Sequence, residues 1–304
     1  MIPVLVVVAL VVFSIVRFIP GDPAAVILGP EATIQQIEAL REKMGLNDPL
    51  IMQLGKWFFN LLQGDLGDSL FYRLPVTTLI IQRLEPTLLL MVLGLAISML
   101  LGIPAGIIAA LKRNTFLDRA VMILSMLGIS IPNFWLGLNL ILLFSIRFRI
   151  LPATGYVPVA EGNLLNSLKF LLLPAISVGL QNAADKARMM RSSMLDVLNS
   201  DFVRTARAKG LSEYFVIMKH ALRNAMIPTL TTIGLAVARL AGGAVVTETV
   251  FNIPGAGRLV MTAISRRDYG VIQGHILFAA LLYVVVNLVV DIIYKAIDPR
   301  VEYK

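Results

Sequence analysis

Long apolar runs broken by short polar stretches set the pattern of this chain, and six of the runs are near the roughly 20 residues needed to cross a bilayer as a helix. They fall at Met1 to about Ile19, Pro86 to Leu111, Ala120 to Ile146, Leu168 to Met190, Ala225 to Val246 and Val271 to Ile293. Glycine and proline interrupt several of them: Gly94, Gly102, Pro104 and Gly106 in the second, and Pro132 in the third. Kinked, closely packed helices of the kind that line cavities are expected there. The first run has no basic residue before it and is longer than the apolar core of a signal peptide, so it is read as a span rather than a cleaved leader. Residues 20–84 are polar enough to lie outside the bilayer, with helices expected after Pro30 and Pro49 and a turn cluster at Gly64 to Leu70. The Trp57-Phe58-Phe59 cluster there reads as a small core or an interfacial belt.

Six spans put both termini on one side, and the short loops decide which. The loop after span two, the region from Lys186 to Arg223 and the tail from Lys295 carry fourteen Lys and Arg, against seven in the short loops of the opposite face even when mid-span Arg239 is credited to it, with the long 20–84 segment set aside. The positive-inside rule therefore places the termini and the long basic loop in the cytoplasm. Composition agrees with a membrane protein: 57% of residues are hydrophobic, 15% charged, and mean hydropathy is +0.80. The net charge of +8 belongs with those loops. No basic patch interleaved with aromatics suggests nucleic acid.

Little in the chain suggests catalysis. It has no cysteine, two histidines (His220 and His275), no phosphate-binding glycine loop and no nucleophile elbow, and Gly255-Ala256-Gly257 lacks the context of a dinucleotide site. No metal or cofactor is expected on this chain.

The positive signal is the loop 191–228, and within it Asp201 to Pro228. Phe202, Val203 and Ala206 are expected on one helical face and Arg204, Arg207 and Lys209 on the other. Gly210 is placed to end that helix and Ser212 to cap the next. Periodicity alone fits a helix lying on anionic lipid as well as one docked on a protein.

The loop resembles the cytoplasmic loop of ABC-importer permeases, whose pattern is Glu-Ala-Ala, three residues, then Gly. Arg204 and Thr205 stand in for the first two positions, while Ala206 and Gly210 match. RSSMLDVL (191–198), HALRNAMIP (220–228), IPGDPA (19–24), GDLGDS (64–69), SIPNFWLG (130–137), TETVFNIPGAGRL (247–259), RRDY (266–269) and NLVVDIIYKAIDPR (287–300) look like the permeases of dipeptide, oligopeptide, glutathione and nickel importers. The matches run through the whole chain in order.

That resemblance implies an all-α membrane protein with the type I ABC-importer permease fold. It would comprise a first span (1–19), a helical extracytoplasmic insertion (20–84) and a core domain (85–304). The implied partners are a homologous second permease, two cytoplasmic ATPases that hydrolyse the ATP, an extracytoplasmic substrate-binding protein and the lipid bilayer of the inner membrane. Arg204, Thr205, Ala206, Lys209 and Gly210 would form the coupling contact to an ATPase. The implied cargo is a dipeptide, oligopeptide or glutathione-like peptide, with nickel as the alternative within the family. A stand-alone secondary transporter is the alternative from another class, without the internal repeats such proteins often show.

Three departures from the pattern matter. The chain begins inside its first span, where relatives have a basic stretch, so a truncated start is expected. Gly270 stands where relatives carry proline, which suggests a looser turn. Arg239 lies mid-span, at a cost of roughly 2.5–3.5 kcal/mol on insertion scales. It either lines the translocation pathway and meets a substrate carboxylate or forms an ion pair with Asp185 or Glu248. Asn287 and Asp291, four apart, read as interhelical packing residues, and His275 as a packing residue with its hydrogen bonds satisfied.

Overall fold

The computed structural model of the chain describes residues 2–18, 22–29, 31–43 and 45–297, without the side chains at 2, 15–18, 23, 26, 27, 43, 238–244, 293, 294, 296 and 297. Among the described residues all regular structure is helical apart from one isolated bridge between Asp68 and Pro75. The chain divides into two compact units, Met1–Leu84 with Arg258–Leu282, and Glu85–Gly257 with Tyr283–Lys304.

The first unit holds α1 (Ile2–Phe18), α2 (Pro23–Leu28), α3 (Ile34–Lys43), α4 (Leu50–Leu62) and the start of α5 (Val76–Leu111). Later in the chain it takes most of α13 (Ala256–Arg266) and the first half of α14 (Tyr269–Ile297). Val76, Leu79 and Ile80 pack there on Leu259, Ala263 and Val271. Trp57 is split between the two roles expected of its cluster: its ring meets Phe13 at 5.6 Å and Phe58 at 5.7 Å, while Phe59 is exposed. Buried Asp268 ties two distant motifs together. It accepts from Ser69 Oγ at 2.5 Å and from the Leu70 and Phe71 amides at 3.3 Å, while the Arg266 guanidinium stacks on Phe71 at 3.6 Å. The turn beside it is not loose. A β-carbon on Gly270 would sit 2.7 Å from the Asp68 carbonyl oxygen, so the missing side chain permits close packing there. His275, on α14, has its Nδ1 buried with no hydrogen-bond partner among the described residues, contrary to the expectation that its bonds are satisfied.

The second unit is built around α9 (Leu164–Leu198), a helix of 35 residues. Around it stand the rest of α5, α6 (Phe116–Ser130), α7 (Asn133–Leu140) with its π-helical extension Ile141–Arg147, and the single turn α8 (Val159–Gly162). They are followed by α10 (Asp201–Ala208), α11 (Glu213–Phe215), a π-helical turn Val216–Ala221, α12 (Leu222–Val250) and the end of α14. Small residues let α5 meet α9 at backbone distance. The β-carbon positions of Gly102 and Gly106 lie 2.5 Å from the carbonyl oxygens of Ala183 and Ala187. Pro86 and Pro104 stay inside a continuous α5, as Pro174 does in α9 and Pro228 in α12.

Every expected span coincides with a helix or helix pair. Three of them, Val76–Leu111, Leu164–Leu198 and Tyr269–Ile292, are long and apolar enough alone to cross a membrane. The third expected span departs from a straight crossing: α6 and α7 with its extension meet at a 100° bend. Pro132 explains the break, because it drives Ile131 to an extended conformation (φ −81°, ψ 123°) and cannot donate to the preceding turn. The remaining two runs correspond to α1, of 17 residues, and α12, of 29.

Candidate functional site

The basic loop begins where α9 ends at Leu198. Ser200 sits at the N-cap of α10 in extended conformation, without a side-chain capping bond. Val203 and Ala206 turn inward and pack with Val216 and Val197, which seats the helix on its own unit. Ala206 is thus a seat of the helix rather than part of its outer face. Phe202 departs from the expected grouping: it is 46% exposed, because a step of about 100° per residue carries it off the stripe held by Val203 and Ala206.

Arg204, Thr205, Lys209 and Gly210 are all exposed. Thr205 Oγ1 donates to the Asp201 carbonyl at 2.8 Å, and the Lys209 amide donates to the Thr205 carbonyl at 3.1 Å. Gly210 ends the segment with φ +76°, and among the described residues no atom beyond its two chain neighbours lies within 4 Å of where a β-carbon would be. Only the backbone angle demands glycine from within; the space beyond is open. Ser212 opens α11 through its carbonyl, which accepts from the Val216 amide at 3.0 Å, rather than through the side-chain cap expected of it.

An ion pair closes the turn around Gly210. Arg207 Nη2 and Nε donate to the two carboxylate oxygens of Glu213 at 2.6 and 3.1 Å. That bond holds the Glu213 carboxyl below its ordinary range and pushes the Arg207 guanidinium up. Sequence reading missed Glu213, although a carboxylate six residues after an arginine and across a glycine turn is a detectable signal. It also missed Leu211, Tyr214 and Met218, which stay exposed beside the basic residues. Exposed apolar and aromatic side chains beside cations match the composition of protein interfaces.

Arg239 lies on α12, but its side chain is outside the described residues. Of its two candidate partners, Glu248 is fully buried and accepts from Thr87 Oγ1 at 2.6 Å. The other, Asp185, lines a cavity of about 920 Å³ with Met122, Arg188, Ser192, Thr232 and Tyr283. At the cavity's edge Arg191 is held by Asp118, Nε to Oδ1 at 2.5 Å and Nη2 to Oδ2 at 2.8 Å, and the Asn114 amide adds a bond to Asp118 at 2.9 Å. Asn287 and Asp291 are partly buried on α14, whose Val290 packs 3.3 Å from the β-carbon position of Gly234 on α12.

Comparison with known proteins covers the whole chain. The peptide ABC transporter permease y4tP of Sinorhizobium fredii is 45% identical over 302 residues, spanning 99% of this chain and 96% of the relative. The glutathione transport system permease GsiC of Escherichia coli (strain K12) is 45% identical over 304 residues, spanning 100% and 96%. Among solved structures, inward-facing MetNI methionine ABC transporter matches with a TM-score of 0.59 at 18% identity over 72% of this chain and 96% of that one, which supports the fold. A family model for the N-terminal part of binding-protein-dependent transport membrane components matches residues 1–91, and one for the inner membrane component matches 102–303. The chain belongs to the family of binding-protein-dependent transport system inner membrane components.

Proposed function

We propose that this chain is one of two homologous permeases forming the translocation pathway of an ATP-driven peptide importer, with a dipeptide, oligopeptide or glutathione-like peptide as cargo. The carrying observation is end-to-end identity of 45% to relatives named for peptide and glutathione transport. Two ATPases bind on the cytoplasmic side and an extracytoplasmic binding protein delivers the substrate. ATP is hydrolysed on those partner chains, and this one supplies the route. The excess of Lys and Arg in the loops joined to α9 and α10 supports a cytoplasmic position for the loop and both termini.

Coupling runs through α10. Its inner face is fixed by Val203, Ala206 and Val216, so a push on the outer face moves α9 and α12 rather than folding the loop. Arg204, Thr205, Lys209 and Gly210 form the outer contact, and the exposed Leu211 and Tyr214 extend it. Bare backbone at Gly210 leaves room for an ATPase groove to close on it.

The test is to isolate the intact complex, identify the ligand carried by its binding protein, and measure uptake into liposomes with ATP supplied to the ATPases. ATP-dependent uptake of a peptide is the expected result. Uptake under an ion gradient without the partners, or nickel as the only cargo, would overturn the reading.

A further inference from the structure

Gln181, Asp185, Arg188, Ser192 and Asp196 recur every three or four residues along α9 and so form one stripe. All five are at least partly exposed, whereas Asn182, Lys186, Met190 and Ser193 between them are buried. A stripe of this composition turned toward acyl chains is expensive, since an Arg or Asp at the centre of a span costs about 2.5–3.5 kcal/mol. It therefore faces water or another protein. Its middle lines the 920 Å³ cavity, which Thr232 of α12 and Tyr283 of α14 line as well. That volume lies within the roughly 300–1,000 Å³ of small-molecule sites.

Two arginines bound this cavity and they differ in kind. Arg191 is committed to Asp118 by two bonds. Arg188, three residues earlier, is exposed and has no ion pair or hydrogen bond among the described residues.

We propose that Arg188 is a substrate-contacting residue that binds the C-terminal carboxylate of a short peptide as it passes the inner half of the pathway. This rests on the peptide-importer reading above. The guanidinium fork matches a carboxylate with two parallel bonds, and the Ser192 and Tyr283 hydroxyls can supplement them. Asp185 lies one turn away on the same stripe and also lines the cavity. A single charged contact suits a transport site, since a cargo held too tightly does not leave.

The test uses the whole complex with its binding protein in liposomes. The probes are dialanine, trialanine and glutathione, each as the free acid and as the C-terminal amide. Arg188→Gln is expected to slow uptake of the transported free acid about tenfold and to leave its amide unchanged, while Arg188→Lys recovers at least half of the loss. Recovery by lysine decides the matter if the wild type carries the amide too slowly to compare. Co-purification of the subunits and stimulation of ATP hydrolysis by loaded binding protein are expected to stay at wild-type levels. Equal slowing of acid and amide would point to lipid or structure, and loss of the second permease on purification would point to an interface contact; either overturns the proposal, as does unchanged uptake. A wild-type complex that carries none of the three free acids refutes the peptide reading itself, and this inference with it.

Discussion

The α5–α9 seam and the α10 loop lie in the same compact unit and are made in opposite ways. In the seam, Gly102 and Gly106 are pressed against carbonyl oxygens of α9, and there is no room for one added carbon. In the loop, no described atom beyond the flanking residues comes within 4 Å of a β-carbon on Gly210, and the basic and aromatic side chains nearby are exposed. The same residue type thus marks a filled contact in one place and an open turn in the other. A glycine whose surroundings in its own chain are full reports on folding. A glycine left in open space has only its backbone angle to satisfy, as Gly29, Gly64 and Gly67 do as well, and at Gly210 the exposed basic and aromatic side chains nearby are what a proposed partner would meet.

The sharpest way to break this contrast is to add carbon at both places. Gly102→Val puts a branched side chain against the backbone of Ala183, which cannot withdraw as a flexible side chain could. Overpacking typically costs about 1–3 kcal/mol, and contact with backbone that cannot withdraw puts this site at the upper end. The expected outcome is loss of recoverable complex; a variant with wild-type yield and melting temperature would mean the seam is not rigid. Gly210→Glu is expected to abolish ATP-coupled uptake while membrane insertion and yield stay intact. Gly210→Asn refines it, because asparagine accepts the left-handed conformation at φ +76° yet still adds a side chain. If Gly210 answers only to its backbone, the asparagine variant transports normally. If a partner closes on it, uptake falls at least tenfold with no change in melting temperature.

The two regions were also unequally legible in the sequence. Span positions could be read because crossing a bilayer demands about 20 apolar residues whatever the neighbours are. Pro132 marked a break in the third span, yet the 100° bend depends on what α7 packs against, and linear periodicity does not carry that. The link from Asp268 to Ser69 was invisible because 199 residues separate them, although each lies in a recognisable motif. In the loop, periodicity found the buried Val203 and Ala206 but drew Phe202 inward with them. The stripe from Gln181 to Asp196 begins inside the fourth expected span and runs past its end. Its meaning depended on knowing that Arg191 is already paired and that Arg188 has no partner among the described residues.

A smaller effect is expected where the two regions approach each other in character. Asp118 and Arg191 form an internal bond at the end of the packed helices, with Asp118 buried and Arg191 about a quarter exposed. Asp118→Asn leaves a partly buried guanidinium without its counter-charge. Breaking a fully buried pair costs 3–5 kcal/mol, and the exposure of Arg191 reduces that to about 2 kcal/mol here. Thermal unfolding of the purified complex measures it. An unchanged melting temperature would place this pair with the loop, as a surface contact of little consequence.

The weakest internal bond is the one that closes the loop. Arg207 and Glu213 are both well exposed, so solvent screens their pair and its contribution is no more than about 0.5 kcal/mol. Its sign with pH is nevertheless fixed. The Glu213 carboxyl is lowered in the folded chain by the Arg207 hydrogen bond, so the stabilisation is present above the ordinary glutamate value of 4.5 and is lost as pH falls through the depressed value. Near neutral pH the pair is fully formed, and Glu213→Gln should change the melting temperature by no more than a degree or two. The same substitution loosens the turn that presents Gly210, so a modest fall in coupled uptake, about two- to threefold, is expected while stability hardly moves. Stability and coupling falling together would mean that the loop is part of the packed interior. Coupling falling alone is the signature of a surface shaped for something outside this chain.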